Sequence, residues 1–122
     1  MSNHADMQEM LRRMCGQANT LTIPRVLIDF TGSIDGGLFL NQIVYWSDKT
    51  KEPDGWFYKS YAHWEEELYL GRYEVEKHTR WLQEKGIIET KIKKAKGSPT
   101  VHYRLRFDKF TESVLLFLTN QY

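Results

Sequence analysis

Gly86 divides the most informative stretch of the chain. Before it, Arg72 to Lys85 spaces Val75, His78, Thr79 and Leu82 at helical intervals, which gives a helix with one side against a core. After it, Ile87 to Lys94 and Thr100 to Phe107 alternate apolar and polar residues about Lys96-Gly97-Ser98-Pro99, a tight loop. A change of period from 3.6 to 2 at a glycine predicts a helix that ends there and a β-hairpin that begins. The hairpin's inward residues are Ile88, Thr90, Ile92, Val101, Tyr103, Leu105 and Phe107.

Upstream, Ser60 is a candidate N-cap for a helix from Tyr61 to Tyr69, with Tyr61, Trp64 and Leu68 on one face, and Gly71 breaks it. Two helices joined by a few residues and followed by a hairpin define a helix-turn-helix with a wing. Pro53-Asp54-Gly55 is a turn that leads into a short strand, Trp56 to Lys59. Ser33 or Asp35 opens an earlier helix reaching Trp46, with Leu38, Ile43 and Trp46 as its inner stripe and Phe39 and Leu40 broadening it. Thr20 to Phe30 is rich in β-branched residues and holds Pro24, so it reads as an edge strand or extended lead-in. Met7, Met10, Leu11 and Met14 share one face of a helix from Ala5 to Cys15, with Asp6 as cap and Gly16 as stop. Asp108 caps a last helix through Thr119. The expected fold is α+β: a winged helix-turn-helix over residues 20–107, with a helical arm at 1–19 and a further helix at 108–122.

The net charge of +1 hides a split. Residues 1–70 carry six Lys/Arg against ten Asp/Glu, whereas residues 71–106 carry ten against four. A basic segment on a nearly neutral chain is the footprint of a polyanion partner. On the helix from Arg72, the outward side presents Tyr73, Lys77, Arg80 and Glu84, flanked by Glu74 and Trp81. Alternation along the hairpin turns Glu89, Lys91, Lys93, Thr100, His102, Arg104 and Arg106 to the face away from the core, with Lys94 and Lys96 at the tip. Four cations and a histidine against one acid make a face that like-charge repulsion weakens unless a polyanion neutralises it. Lysine that blunts a sheet edge is the competing explanation.

The runs Gly55-Trp-Phe-Tyr-Lys-Ser-Tyr-Ala-His-Trp-Glu-Glu-Glu-Leu, Leu70-Gly-Arg-Tyr-Glu-Val and Arg80-Trp-Leu-Gln-Glu-Lys-Gly-Ile-Ile-Glu-Thr-Lys resemble winged-helix domains of phage and plasmid replication proteins. They are similar to the amino-terminal domain of DnaD-type replisome organisers and initiators. The tail Lys94-Ala-Lys-Gly-Ser-Pro-Thr-Val-His-Tyr-Arg-Leu resembles the wing of that group. The likeness spans residues 20–107, and its pieces recur in transcription regulators of the same fold. It implies duplex DNA as partner, with Arg72, Tyr73, Lys77 and Arg80 in the groove and Lys91, Lys93, Lys94, Lys96 and Arg104 on phosphates. Gly71 departs from the Ser or Thr that often caps the reading helix in such domains.

Other chemistries find no foothold. Glu65-Glu66-Glu67 point about 100° apart on a helix and read as a solvated face. His4, His63, His78 and His102 lack metal-ligand spacing, and Gly36-Gly37 lacks the Lys-Ser/Thr partner of a phosphate loop. No nucleophile–base set stands out, so neither enzymatic activity nor a metal or cofactor is expected. Cys15 is the only cysteine, which fits a reducing cytoplasmic setting, and no apolar run approaches a membrane span. The apolar terminal segments, Met7 to Met14 and Val114 to Leu118, point to self-association, to contact with replication proteins, or to a winged helix used for protein contact alone.

Overall fold

A computed structural model describes residues 3–14 and 20–121. The expectations placed on Cys15 and Gly16, and on the side chains of His4 and Met14, lie outside the described residues. The described chain is α+β, with helices α1 (Asn3–Met14), α2 (Arg25–Thr31), α3 (Ile34–Lys49), α4 (Tyr61–Leu68), α5 (Arg72–Glu84) and α6 (Phe107–Gln121). Strands β1 (Phe57–Tyr58), β2 (Ile88–Ala95) and β3 (Ser98–Leu105) form one antiparallel sheet in the order β1-β3-β2. No described helix is long and apolar enough to cross a membrane.

Of residues 20–30, expected to be extended, those from Arg25 onward lie in helix α2. Pro24 stops at φ −60° and ψ 132° and serves as N-cap, so the extended lead-in ends there. Gly32 closes the helix in the left-handed region, at φ 84°. The β-branched residues of this stretch yield to tertiary packing: Leu27 is buried and Phe30 meets Trp81 edge-on at 5.5 Å. Gly37 lets α2 cross α3 closely, since a Cβ there would stand 3.0 Å from the Ile28 backbone. Ser33 caps α3 by accepting from the Gly36 N–H at 2.9 Å. The buried stripe of α3 is Gly36, Phe39, Leu40 and Ile43, while Leu38 and Trp46 stay partly exposed. With α2, α5 and the sheet all packed against it, α3 buries a wide arc centred one residue away from the expected stripe.

The centre is aromatic. Trp64 from α4, Phe39 from α3 and Tyr103 from β3 are each at most 1% exposed, and the Trp64 indole N–H donates to the Tyr103 hydroxyl at 3.2 Å. Phe57 of β1 stacks on Tyr103 at 5.7 Å, which ties the short strand to this cluster. Just outside it, Glu67 corrects the expectation of a solvated glutamate run. Glu65 and Glu66 are exposed, but Glu67 pairs with Lys59 at 3.0 Å and accepts from the Trp46 indole at 3.1 Å. Lys59 also lies over the Trp46 ring at 4.2 Å.

The hairpin is longer and its turn tighter than alternation indicated. Lys94 pairs with Pro99 and Ala95 with Ser98, leaving a two-residue turn in which Lys96 and Gly97 have φ 51° and 83°. Positive φ at both central residues matches the right-handed twist of the strands, so the ribbon closes at once. Pro99 is tolerated because β1 pairs only with His102 and Tyr103, leaving that end of β3 without a second neighbour. The ribbon outruns the core, so Ile92, expected inside, is 75% exposed. Phe107 is likewise exposed, because the chain has by then turned into α6. That helix returns over α2 through Phe117, whose ring stands 5.6 Å from Phe30. On α1, Asp6 lies within the first turn instead of at a cap, and Met7, Met10 and Leu11 are exposed.

Two consequences are measurable. Burial pushes the Tyr103 phenol up to about 12, while an unfolded tyrosine titrates near 10. Between those values the folded chain keeps a proton that the unfolded chain has lost, so stability falls as pH rises across the window. Urea midpoints should drop steeply from about pH 10 to 12 in the wild type and less in Tyr103→Phe. Equal slopes would place the alkaline loss elsewhere. Glu67→Gln should destabilise by about 2–3 kcal/mol, because it strands a largely buried Lys59 charge. Denaturation at neutral pH checks this, and a loss under about 0.5 kcal/mol would mean the pair acts as an ordinary surface pair.

Candidate nucleic-acid interface

Helix α5 follows α4 after only Tyr69, Leu70 and Gly71. Tyr69 ends α4 in the left-handed region at φ 61°, its N–H donating to the Glu65 carbonyl at 2.8 Å. Leu70 is buried and pins the turn, and Gly71 begins α5 without a side-chain cap. Val75 and Leu82 set the inner side of α5 into the core. That fixes the outer side, where Tyr73, Lys77, Arg80 and Glu84 are all exposed. Arg72 is held instead: its Nε donates to Glu76 at 2.8 Å and its guanidinium lies over the Tyr61 ring. This contact with Arg72 holds the Glu76 carboxyl below its ordinary range.

The hairpin separates the basic residues onto two faces. Gln83 of α5 donates to the Thr90 hydroxyl, so β2 residues of the same parity as Thr90 face the α5 side. Lys94 belongs to this set, in the strand and not at the tip, and Lys96 occupies the turn. Lys91 and Lys93 face the other way, opposite His102 and Thr100 of β3. Arg104 shares that face, across from Glu89.

On the face away from α5 the sheet gains aromatics that the hairpin pattern alone did not reveal. Tyr58 pairs with His102, and Trp56, two residues earlier, sits beneath the Lys91 ammonium at 4.1 Å. Arg104 lies 6.0 Å from the same ring. An open groove of about 490 Å3 runs from here toward α3, bordered by Trp46, Lys49, Lys51 and Lys93. The strand at Trp56 to Lys59 was legible in the sequence, but its partner was not.

His102 is a correction. It was expected to be exposed, but Tyr58 covers it and it is 9% exposed, with Nε2 3.3 Å from the Lys93 carbonyl. Arg106 is a second correction, because β3 has ended and its guanidinium meets Glu89 at 3.6 Å and Asp108 at 3.8 Å. Among the described residues, Lys77, Arg80, Lys93, Lys94 and Lys96 form no salt bridge. Charges left without a protein partner are the ones free to meet an anion. Comparison with protein-family models, curated proteins and solved structures found no match to this chain.

Proposed function

We propose that the protein is a winged helix-turn-helix that binds duplex DNA, with α5 in the groove and the hairpin as its wing. The order α3-β1-α4-α5-β2-β3, with β3 between the other strands, supports that fold. The observation that carries the function is the outer side of α5. Tyr73, Lys77 and Arg80 are exposed together on a helix whose other side is buried, and neither cation has an ion-pair partner among the described residues. Such side chains bond base edges and phosphates, and a helix of this width enters a major groove. Lys94 and Lys96 extend the surface along the ribbon on the α5 side. Initiation of phage- or plasmid-type replication is the process the resemblance of residues 20–107 favours, with transcription control as its counterpart in the same fold.

Division of labour follows from the two faces. A duplex on α5 meets Lys94 and Lys96 but not Lys91 and Lys93, which lie across the sheet. Lys94→Ala with Lys96→Ala should weaken binding to every duplex alike. It should also flatten the slope of log affinity against log salt by roughly two, at about 0.9 per phosphate contact. Lys77→Ala or Arg80→Ala should cost about 1–3 kcal/mol on a preferred site and less on random sequence. Titrations at several salt concentrations read both effects. If Lys91→Ala with Lys93→Ala flattens the slope as much as the Lys94 and Lys96 pair does, the one-sided docking is wrong. If no variant alters binding, α5 is not the reading helix.

A second copy of the chain is the partner that the terminal helices favour. Met7, Met10 and Leu11 on α1 and Leu115 and Leu116 on α6 are exposed apolar residues on two helices at the ends of a small chain. Sedimentation should show a dimer at tens of micromolar that deletion of residues 1–16 weakens while the rest of the chain still unfolds cooperatively. A monomer at that concentration removes the proposal.

A further inference from the structure

Glu74 and His78 stand one turn apart on α5, so their side chains leave the same face of the helix. Asp35, in the first turn of α3, meets them there. One oxygen of each carboxylate and one ring nitrogen of His78 all lie within 4.8 Å of one another. The His78 ring is otherwise enclosed, its side chain 12% exposed and its ring 6.2 Å from that of Phe39. Its Nε2 is buried and has no hydrogen-bond partner. Buried ring nitrogens are nearly always bonded, so one without a partner, aimed at two carboxylates, calls for an explanation.

A simple ion pair does not supply it. The Nε2 to Glu74 distance is 3.7 Å, beyond a hydrogen bond. A ring nitrogen bonded to no protein group is open to offer its lone pair to a metal. We propose that Asp35, Glu74 and His78 form a site for a first-row divalent transition ion, such as zinc, that clamps α5 to α3.

The ligand chemistry selects the class of ion. Calcium takes an all-oxygen shell of six or more donors, whereas one imidazole with two carboxylates suits zinc, manganese or iron(II). Bonds of about 2.0–2.2 Å bring donor atoms to about 3–3.5 Å apart, so the trio must contract by roughly an ångström. Asp35 is exposed, and its side chain has room to make that movement. Two carboxylates neutralise a dication. Lys77, the neighbouring cation that acts on His78, is exposed and can turn outward. Solvent fills the remaining coordination positions on the open Asp35 side.

The site matters because of what shares its helix. Tyr73, Lys77 and Arg80 flank Glu74 and His78 on α5, so an ion held from α3 fixes the helix that presents them; this consequence rests on the DNA-binding reading. Linkage then requires the metal to strengthen duplex binding and the duplex to strengthen metal binding by the same factor.

Calorimetry of the full chain with zinc, and visible absorption with cobalt(II), test the site without DNA. One equivalent should bind, with His63→Gln and Cys15→Ser unaffected. Asp35→Asn and Glu74→Gln should each weaken binding by more than about tenfold. Asp35 is exposed, so its variant keeps the fold, which circular dichroism confirms even if His78→Gln does not fold. No binding, or binding unchanged in both carboxylate variants, overturns the site. Duplex titrations with zinc and with chelator test the clamp: wild-type affinity should rise severalfold with zinc and that of Asp35→Asn should not. Zinc bound at one equivalent with duplex affinity unmoved overturns the clamp and leaves the site. A chain that binds no duplex at all defeats the DNA reading, while the zinc titration still decides the site.

Discussion

The rest of the molecule hangs on the bond between Trp64 and Tyr103. These two large side chains come from α4 and β3, 39 residues apart, and neither is more than 1% exposed. Each brings one polar atom into the interior, and the Tyr103 oxygen accepts the Trp64 N–H, so the indole is buried without a stranded donor. Phe39 from α3 and Phe57 from β1 complete the cluster. Four elements are thereby fixed about a single point. The sheet cannot slide relative to α4, because a one-residue slip in β3 would turn Tyr103 out and His102 in.

That register decides where the charges go. With Tyr103 inward, His102, Arg104, Lys91 and Lys93 must face away, and Thr90 and Lys94 must face the α5 side. The basic surface foreseen as one ribbon is therefore two. One joins α5 to the hairpin tip, and the other pairs cations with Trp56 and Tyr58 across the sheet. The second face partly answers its own repulsion: Lys91 rests on an indole, and Arg104 stands opposite Glu89. Its cations need an external anion less than Lys77 and Arg80 do.

The sequence announced what depends on local spacing. The period change at Gly86, the Ser60 and Ser33 caps and the Pro53-Asp54-Gly55 turn fall where the residues put them. What it hid depends on partners distant along the chain. The helix at 25–31 could not be distinguished from a strand without knowing that Leu27 and Phe30 would be buried together. His102 looked exposed because nothing local says that Tyr58 lies over it. Arg106 looked free because Asp108 and Glu89 reach it only after the chain turns into α6. The Glu74–His78 spacing was visible at i and i+4, but a pair of donors on one helix becomes a site only when Asp35 arrives from another.

The start of α5 has no side-chain cap. Gly71 contributes no capping oxygen, and the turn before it stores the strain of a tyrosine at φ 61°. A helix begun this way depends on its flank for orientation, and Val75 and Leu82 supply only apolar, non-directional contacts there. Directional contacts near its beginning come from Arg72, whose guanidinium lies over Tyr61 of α4, and from the trio of Asp35, Glu74 and His78, within one turn of Tyr73 and Lys77. The two carboxylates repel one another at this junction, and a cation among them reverses the sign of that interaction. A cation at this one point would therefore add a directional tie between α5 and α3 to the apolar contacts that already join them.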